Sequence, residues 1–272
     1  MKVTVYALIH DDPYAVGELM SVLPRQSEPP MEIVSFIPYD LSDASMKRIE
    51  KRSSAIIVVP DLLYGSAVNR AIAERDDDVI VFLDSSLVPS NQVWMERLTH
   101  PIIWGDVDAV AGRMAQDLYT NFFIQNDFAV DLKKAEETGR LPFFHFMFSN
   151  LAGSRRFFLD NPFPALYIED FILGWAIENS GKVTYCKDAV IHPLIHFTAD
   201  GYMLLYQRLA RALRGRVRFP LFRSVDIFFR GIWRDFWRMY QNGNPLWMFY
   251  SIYMRLIQAF GFYSGSFYRT QM

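Results

Sequence analysis

Residues 78–89 read DVIVFLDSSLVP, and the fold turns on how this stretch is read. Val79 to Leu83 is almost wholly apolar, the pattern of a strand covered on both faces of a parallel sheet. It ends in Asp84-Ser85-Ser86, which puts a carboxylate and two hydroxyls at the carboxyl end of a central strand. In open α/β sheets ligands bind at that edge. Asp and Ser also suit a helix N-cap for backbone reasons alone. The stretch by itself does not choose between the two.

Upstream, strands and helices alternate. Lys2 to Ile9 reads as a first strand. Tyr14 to Leu23 follows as a helix, with Asp12 as N-cap and Pro13 at the first helical position. Glu32 to Ile37 is a second strand, Ser42-Asp43 opens a helix through Arg52, and Ala55 to Val59 is a third strand. Gly65 to Glu74 is the helix that leads into the organising strand. This spacing predicts a doubly wound, mostly parallel α/β sheet. Downstream, Gln92 to Leu98 reads as helix, Ala109 to Met114 as a fifth strand, and Thr120 to Leu141 as mixed helix and loop. A helix after Ile168-Glu169-Asp170 runs through Glu178 with Gly181 as C-cap, and Val183 to Cys186 is a further strand.

At 272 residues the chain has ample length for a core. Apolar residues make up 51% and aromatics 16%, high for an ordinary enzyme domain. Cys186 stands alone, which excludes an internal disulfide and a CxxC metal site. The start, MKVTVYALIHDDP, lacks a long apolar segment and a small-residue cleavage site, so no signal peptide is expected. No GxGxxG or GxxxxGK[ST] loop follows a strand, so dinucleotide and P-loop readings lose their main support. Nucleotidyl transfer on a related sheet loses the same support.

The residues now on the page carry a resemblance. From about Lys2 to Arg214 the chain resembles the family 2 glycosyltransferases of GT-A fold. EIVSFI with Ser42-Asp43 stands where that family has a strand and a Ser/Thr-Asp turn under the nucleotide. Gly65-Ser-Ala-Val-Asn69 is similar to its Gly-x-x-x-Asn helix start, and FLDSSLVP takes the place of its Asp-x-Asp strand end. SNLAGSRR, IEDFILGWAI and DAVIH then follow in the family's order.

The resemblance implies inverting transfer of a sugar from a nucleotide sugar to an acceptor hydroxyl. Such transfer needs a base for the acceptor proton and an electrostatic partner for the departing diphosphate. By position Asp170 is the implied base, with Glu169, Asn150, Arg155 and Arg156 toward the acceptor. Acids such as Glu169 and Asp170 also favour the positive end of a helix, and adjacent arginines are often a solvated face. Asp84, Ser86, Asp40, Asp43, Gly65 and Asn69 are implied on the nucleotide-sugar side.

Two departures stand out. Ser86 replaces the second, metal-binding acid, and a neutral serine is a poor ligand for a divalent ion. Mn2+ or Mg2+ is therefore an expectation resting on Asp84 with His192 and His196, either of which also reads as a structural histidine. A cationic side chain in the ion's place, or loss of catalysis, are the alternatives. Ile37-Pro38 stand where the family has a base-reading Asp, with Asp40 or Asp43 as substitutes, so the donor is not specified. Gln207 and Arg211 match the Gln-x-x-Arg-Trp motif of processive synthases only loosely, with Ala210 and Ala212 breaking it, which points to one sugar per encounter.

The last part of the chain differs in kind. From Gly201 onward there are eleven arginines and no lysine, with Asp226 and Asp235 as the acids. Ser224 to Tyr240 places Arg230, Arg234 and Arg238 on one helical face and Phe229, Trp233, Phe236 and Trp237 on the other. That is the pattern of a helix lying in a membrane interface, or of one docked on its own domain with arginines outward. A second helix has Asn244 as N-cap, Pro245 at its first position and Gly261 beyond its end, with one polar stripe of Ser251, Arg255 and Gln258. At that length it is too short to cross a bilayer, which takes about 20 residues. No nucleic-acid motif accompanies the arginines.

The expected organisation is thus a glycosyltransferase domain over residues 1–200 and a helical extension over 201–272. Residues 1–118 form its nucleotide-sugar half and 119–200 its acceptor half. Expected partners are a nucleotide sugar, a glycan or lipid-linked acceptor in polysaccharide biosynthesis, and the cytoplasmic inner face of the cell membrane, with an oligomer contact through the C-terminal helices. The rival is a non-catalytic glycosyltransferase-like scaffold.

Overall fold

The computed structural model describes residues 1–59, 63–115, 125, 127, 129–133, 137, 150–164, 179, 182–194, 199–212, 220–242 and 247–267. The chain divides into two compact units, Met1–Asp117 with Phe128–Ile195, and Leu118–Asp127 with His196–Met272.

The first unit opens with β1 (Val3–Leu8), α1 (Pro13–Val22), β2 (Glu32–Pro38), α2 (Asp43–Glu50), β3 (Ala55–Val59), α3 (Tyr64–Glu74) and β4 (Val79–Asp84). It continues with β5 (Leu87–Pro89), α4 (Trp94–Ile103), β6 (Ala109–Met114), β7 (Asn150–Ser154), α5 (Arg155–Asp160) and β8 (Thr184–Pro193). The sheet order is β3-β2-β1-β4-β7-β6-β8-β5. Strands β3, β2, β1 and β4 run parallel, as do β6 and β8. Strand β7 is inserted antiparallel between β4 and β6, and β5 runs antiparallel to β8 at the end of the sheet. The expected α/β, mostly parallel, helix-flanked sheet is what forms.

Local chemistry explains the element starts. Asp12 caps α1 by accepting from the amides of Tyr14 and Ala15, and Ser42 caps α2 by accepting from Ser45. Strand β4 is buried from Val79 through Leu83, and Tyr6, Phe36, Phe82 and Phe158 fill one core beside it. Chain order reverses at β1, which has β2 on one side and β4 on the other. The gap between the carboxyl ends of β1 and β4 is thus a topological switch point.

Three expectations need correction. Ala109–Met114 is the sixth strand, because Leu87–Pro89 pairs antiparallel with β8. The strand expected at Val183 to Cys186 is the start of a longer one, β8, which begins at Thr184, runs to Pro193 and shifts register against β6 between Gly112 and Arg113. The second C-terminal helix does not stop before Gly261.

The second unit contains α6 (Ala199–Ala212), α7 (Pro220–Asn242) and α8 (Trp247–Phe267), with α8 packed on both others. Helix α8 continues through Gly261 and Gly265 because these glycines are packing surfaces rather than a terminus. A Cβ at Gly261 would lie 2.5 Å from the Met203 carbonyl oxygen, and one at Gly265 2.3 Å from that of Gln207. The expected caps Asn244 and Pro245 lie outside the described residues, as do Gly181 and most of Thr120 to Leu141.

Candidate active site

The site grows from the register of β1 on β4, which sets Leu8 beside Asp84. The Ser85 amide donates to the Leu8 carbonyl at 2.8 Å, stitching the two strand ends together. One residue later the His10 amide donates to Ser85 Oγ at 2.9 Å. The His10 ring then meets the acid, with Nε2 2.7 Å from Asp84 Oδ2. On its other oxygen, Oδ1, Asp84 accepts from the Ser86 amide at 2.8 Å and the Ser86 hydroxyl at 2.6 Å. This is an Asx turn. It leads into β5 and not into a helix, so the N-cap reading of Asp84 falls away.

Burial pushes the Asp84 carboxyl up, but the charge and hydrogen bond of His10, with the two Ser86 donors, outweigh it. The group sits below the usual carboxylate range. Tyr64, at the start of α3, is buried with its hydroxyl 3.5 Å from the Ile9 carbonyl. Burial, reinforced by the charges of Asp84 and Asp40, pushes its phenol up, which keeps it a proton donor. Asp11 accepts from the hydroxyls of Ser42 at 2.6 Å and Ser45 at 2.8 Å. These bonds lower its pKa and tie the loop after β1 to the start of α2.

His192 belongs to the same edge. On β8 it pairs with Val88 of β5, and two residues on the Leu194 amide donates to the Ser86 carbonyl at 2.8 Å. Asp40 lies exposed just past β2, and Asp43 is the first residue of α2. Gly65 is buried at the start of α3. Asn69 is engaged on backbone, donating to the Phe163 carbonyl at 2.7 Å and accepting from its amide at 2.9 Å.

Of the expected acceptor residues, Asn150 stands at the same end of β4 as Asp84, while Arg155 and Arg156 do not. Asn150 is buried beside Leu83, accepting from Trp94 Nε1 at 3.0 Å and donating to the carbonyls of Ala189 and Arg113. Its amide protons tie β7 to β6 and β8. Since β7 runs antiparallel to β4, Ser154 faces Val79, and Arg155 and Arg156 come out at the edge opposite Asp84. Arg155 caps α3 there, donating to the carbonyls of Ile72 at 2.8 Å and Ala73 at 3.0 Å. Arg156 is exposed and pairs with Asp160. Glu169, Asp170 and His196 lie outside the described residues.

His10, Asp11 and Tyr64 were missed by sequence reasoning. A signal was present: the first strand of such a sheet lies at the switch point, so the residues leaving it belong at the site.

Solved structures share this architecture. Glucosyl-3-phosphoglycerate synthase from Mycobacterium tuberculosis, in complex with Mn2+, UDP-glucose and glycerol 3-phosphate, matches with a TM-score of 0.58 at 16% identity, over 78% of this chain and 79% of that one. The fold is GT-A. The complex of the same synthase with Mg2+ and UDP gives 0.56 at 15% identity over 78% of each chain. A structure described as a mycobacterial protein gives 0.57 at 16% identity over 78% of this chain and 73% of its own. At such identity the likeness speaks for the GT-A fold alone. No family model matches the chain, and no curated protein matches its sequence.

A divalent ion at a diphosphate needs hard, charged oxygens. Here Asp84 already accepts on both oxygens, and Ser86 brings no charge. Among the described residues no group of three His, Cys, Asp or Glu side chains gathers. His196 lies outside the described residues, so the set of Asp84, His192 and His196 remains an expectation, and the chemistry proposed for the site uses side chains alone.

Proposed function

We propose that this protein transfers a single sugar from a nucleotide sugar to an acceptor hydroxyl with inversion, in the manner of the family 2 glycosyltransferases. The observation that carries the reading is the His10–Asp84–Ser86 group at the switch point of a GT-A sheet. The acceptor oxygen attacks the anomeric carbon from the face opposite the diphosphate. The bond from that carbon to the diphosphate oxygen breaks, and its electron pair leaves with the nucleotide. The acceptor proton passes to Asp170, with Glu169 holding acceptor hydroxyls; both roles come from the IED motif.

Asp84 would repel a diphosphate if it acted alone. Paired with His10 it orients the ring, which supplies a preorganised donor where charge develops. Asp84 and the Asp11–Ser42–Ser45 group face the ribose and base side of the donor. We assign residues 1–118 to the nucleotide sugar and 119–200 to the acceptor. The arginine- and aromatic-rich residues 201–272 support an acceptor among lipid-linked or cell-surface glycan precursors, at the inner face of the cell membrane.

A nucleotide-release assay over a donor panel, with Mn2+ or with EDTA, tests the reading. Turnover with at least one donor, abolished in Asp170→Asn while donor binding persists, is the expected result. Neutral Ser86, and Ile37-Pro38 at the end of β2, favour one second reading, a non-catalytic scaffold built on this fold. Donor binding without turnover in the wild-type chain would select it.

A further inference from the structure

Helices α7 and α8 bury a polar stripe, which on α8 lies beside Met254 and Phe262, and expose aromatics. On α8 the polar stripe of Ser251, Arg255 and Gln258 is buried, with Arg255 fully so. On α7 the buried stripe holds Ser224, Gly231 and Asp235. These groups satisfy one another. Arg255 donates to Asp235 at 2.8 Å and to Asp127 at 2.5 Å, Ser251 donates to Asp235 at 2.5 Å, and Gln258 donates to Tyr202 at 2.8 Å. The opposite face of each helix is aromatic and exposed. Trp233 is 64% exposed, Phe229 63% and Trp237 50% on α7, as are Phe249 at 78% and Phe260 at 60% on α8. A helix at a water-facing surface does the reverse.

We infer that this aromatic face is a lipid-contact surface that lies in the headgroup region of an anionic bilayer. Three observations favour lipid over a second copy of the chain. Arg223 and Arg230 flank the aromatic stripe of α7 and share Asp226, which leaves the trio net positive and suited to anionic headgroups. Trp233 and Trp237 sit among phenylalanines on one face, the composition of a helix half-sunk at the acyl boundary. The packing beneath is of the kind used where water is absent. Glycines at 261 and 265 bring α8 onto the backbone of α6, and the polar groups turn inward. No described helix is long and apolar enough to cross a membrane, so the contact is interfacial.

The inference deepens the location given under the proposed function but does not need the chemistry. The test is flotation of the full chain with phosphatidylcholine vesicles, with and without phosphatidylglycerol, alongside quenching of tryptophan fluorescence by brominated lipid. Light scattering without lipid gives the oligomeric state. Flotation confined to anionic vesicles, with quenching, is expected. Arg230→Gln should lower the partition about fivefold. Phe229→Glu with Trp233→Glu should abolish flotation with the circular dichroism spectrum unchanged. Equal flotation of that double variant would overturn the inference. So would no flotation at all, or an oligomer that the same substitutions dissociate. A chain that floats yet binds no nucleotide sugar leaves the surface standing and ends the transferase reading.

Discussion

His10 Nε2 lies 2.7 Å from Asp84 Oδ2, across 74 residues of sequence, where the order of the sheet reverses at β1. The carboxylate is held from both sides, by the ring on one oxygen and by the Ser86 amide and hydroxyl on the other. A pair fixed this way can orient a ligand without first reorganising.

If the His10 ring, held by Asp84, donates to the departing diphosphate, its loss should resemble the loss of a preorganised donor. His10→Gln and Asp84→Asn should each lower kcat by about 10²–10³. Nucleotide release under saturating donor measures this. Turnover within twofold of wild type in both variants would remove the pair from the reaction.

The buried network of the second unit makes a stability prediction. Arg255→Met removes the cation shared by Asp127 and Asp235 and leaves them Arg234 and Ser251, and breaking a buried pair from one side costs about 3–5 kcal/mol. A fall in the urea midpoint of that order is expected. Ser251→Ala, which removes one bond to Asp235, should cost about 1 kcal/mol. An unchanged midpoint for Arg255→Met would mean that the network does not form.

The same network sets an acid limb. Burial pushes the Asp127 carboxyl up, but the charges of Arg255 and Arg234 pull it further down, below its ordinary value. A carboxylate with a depressed folded pKa contributes stability above its unfolded value, near 4, which is lost as pH falls through the folded pKa. Denaturation midpoints measured from pH 6 downward should therefore drop below about pH 4. The drop should be smaller in Asp127→Asn, whose stability is already reduced.

Glycine packing on α8 predicts a sign. An ordinary mid-helix Gly→Ala change stabilises by about 1 kcal/mol. Gly261→Ala and Gly265→Ala should instead lower Tm, because each new methyl meets backbone of α6 that cannot swing aside. A raised Tm would contradict the close approach.

Much of the fold was legible because its signals are local. The apolar run Val79 to Leu83, the caps Asp12 and Ser42, and the alternation of strand with helix need no distant partner. What escaped depends on direction and pairing. Arg155 follows SNLAGS in sequence, but only the antiparallel course of β7 reveals that it emerges at the far edge of the sheet. His10 stands between the first strand and the first helix, and only the register of β1 on β4 sets it against Asp84. On α7 and α8 periodicity separated a polar face from an apolar one but carries no information on which is inward. There the buried partners Asp127 and Arg255, 128 residues apart, decide.

Calorimetric titration of a panel of nucleotide sugars, UDP-glucose among them, into the wild-type chain and Asp84→Asn is the most direct measurement of whether the switch point is a donor site. Saturable binding of at least one donor, weakened tenfold or more by the substitution, is the expected result. Binding of none, or equal affinity in both proteins, would contradict it.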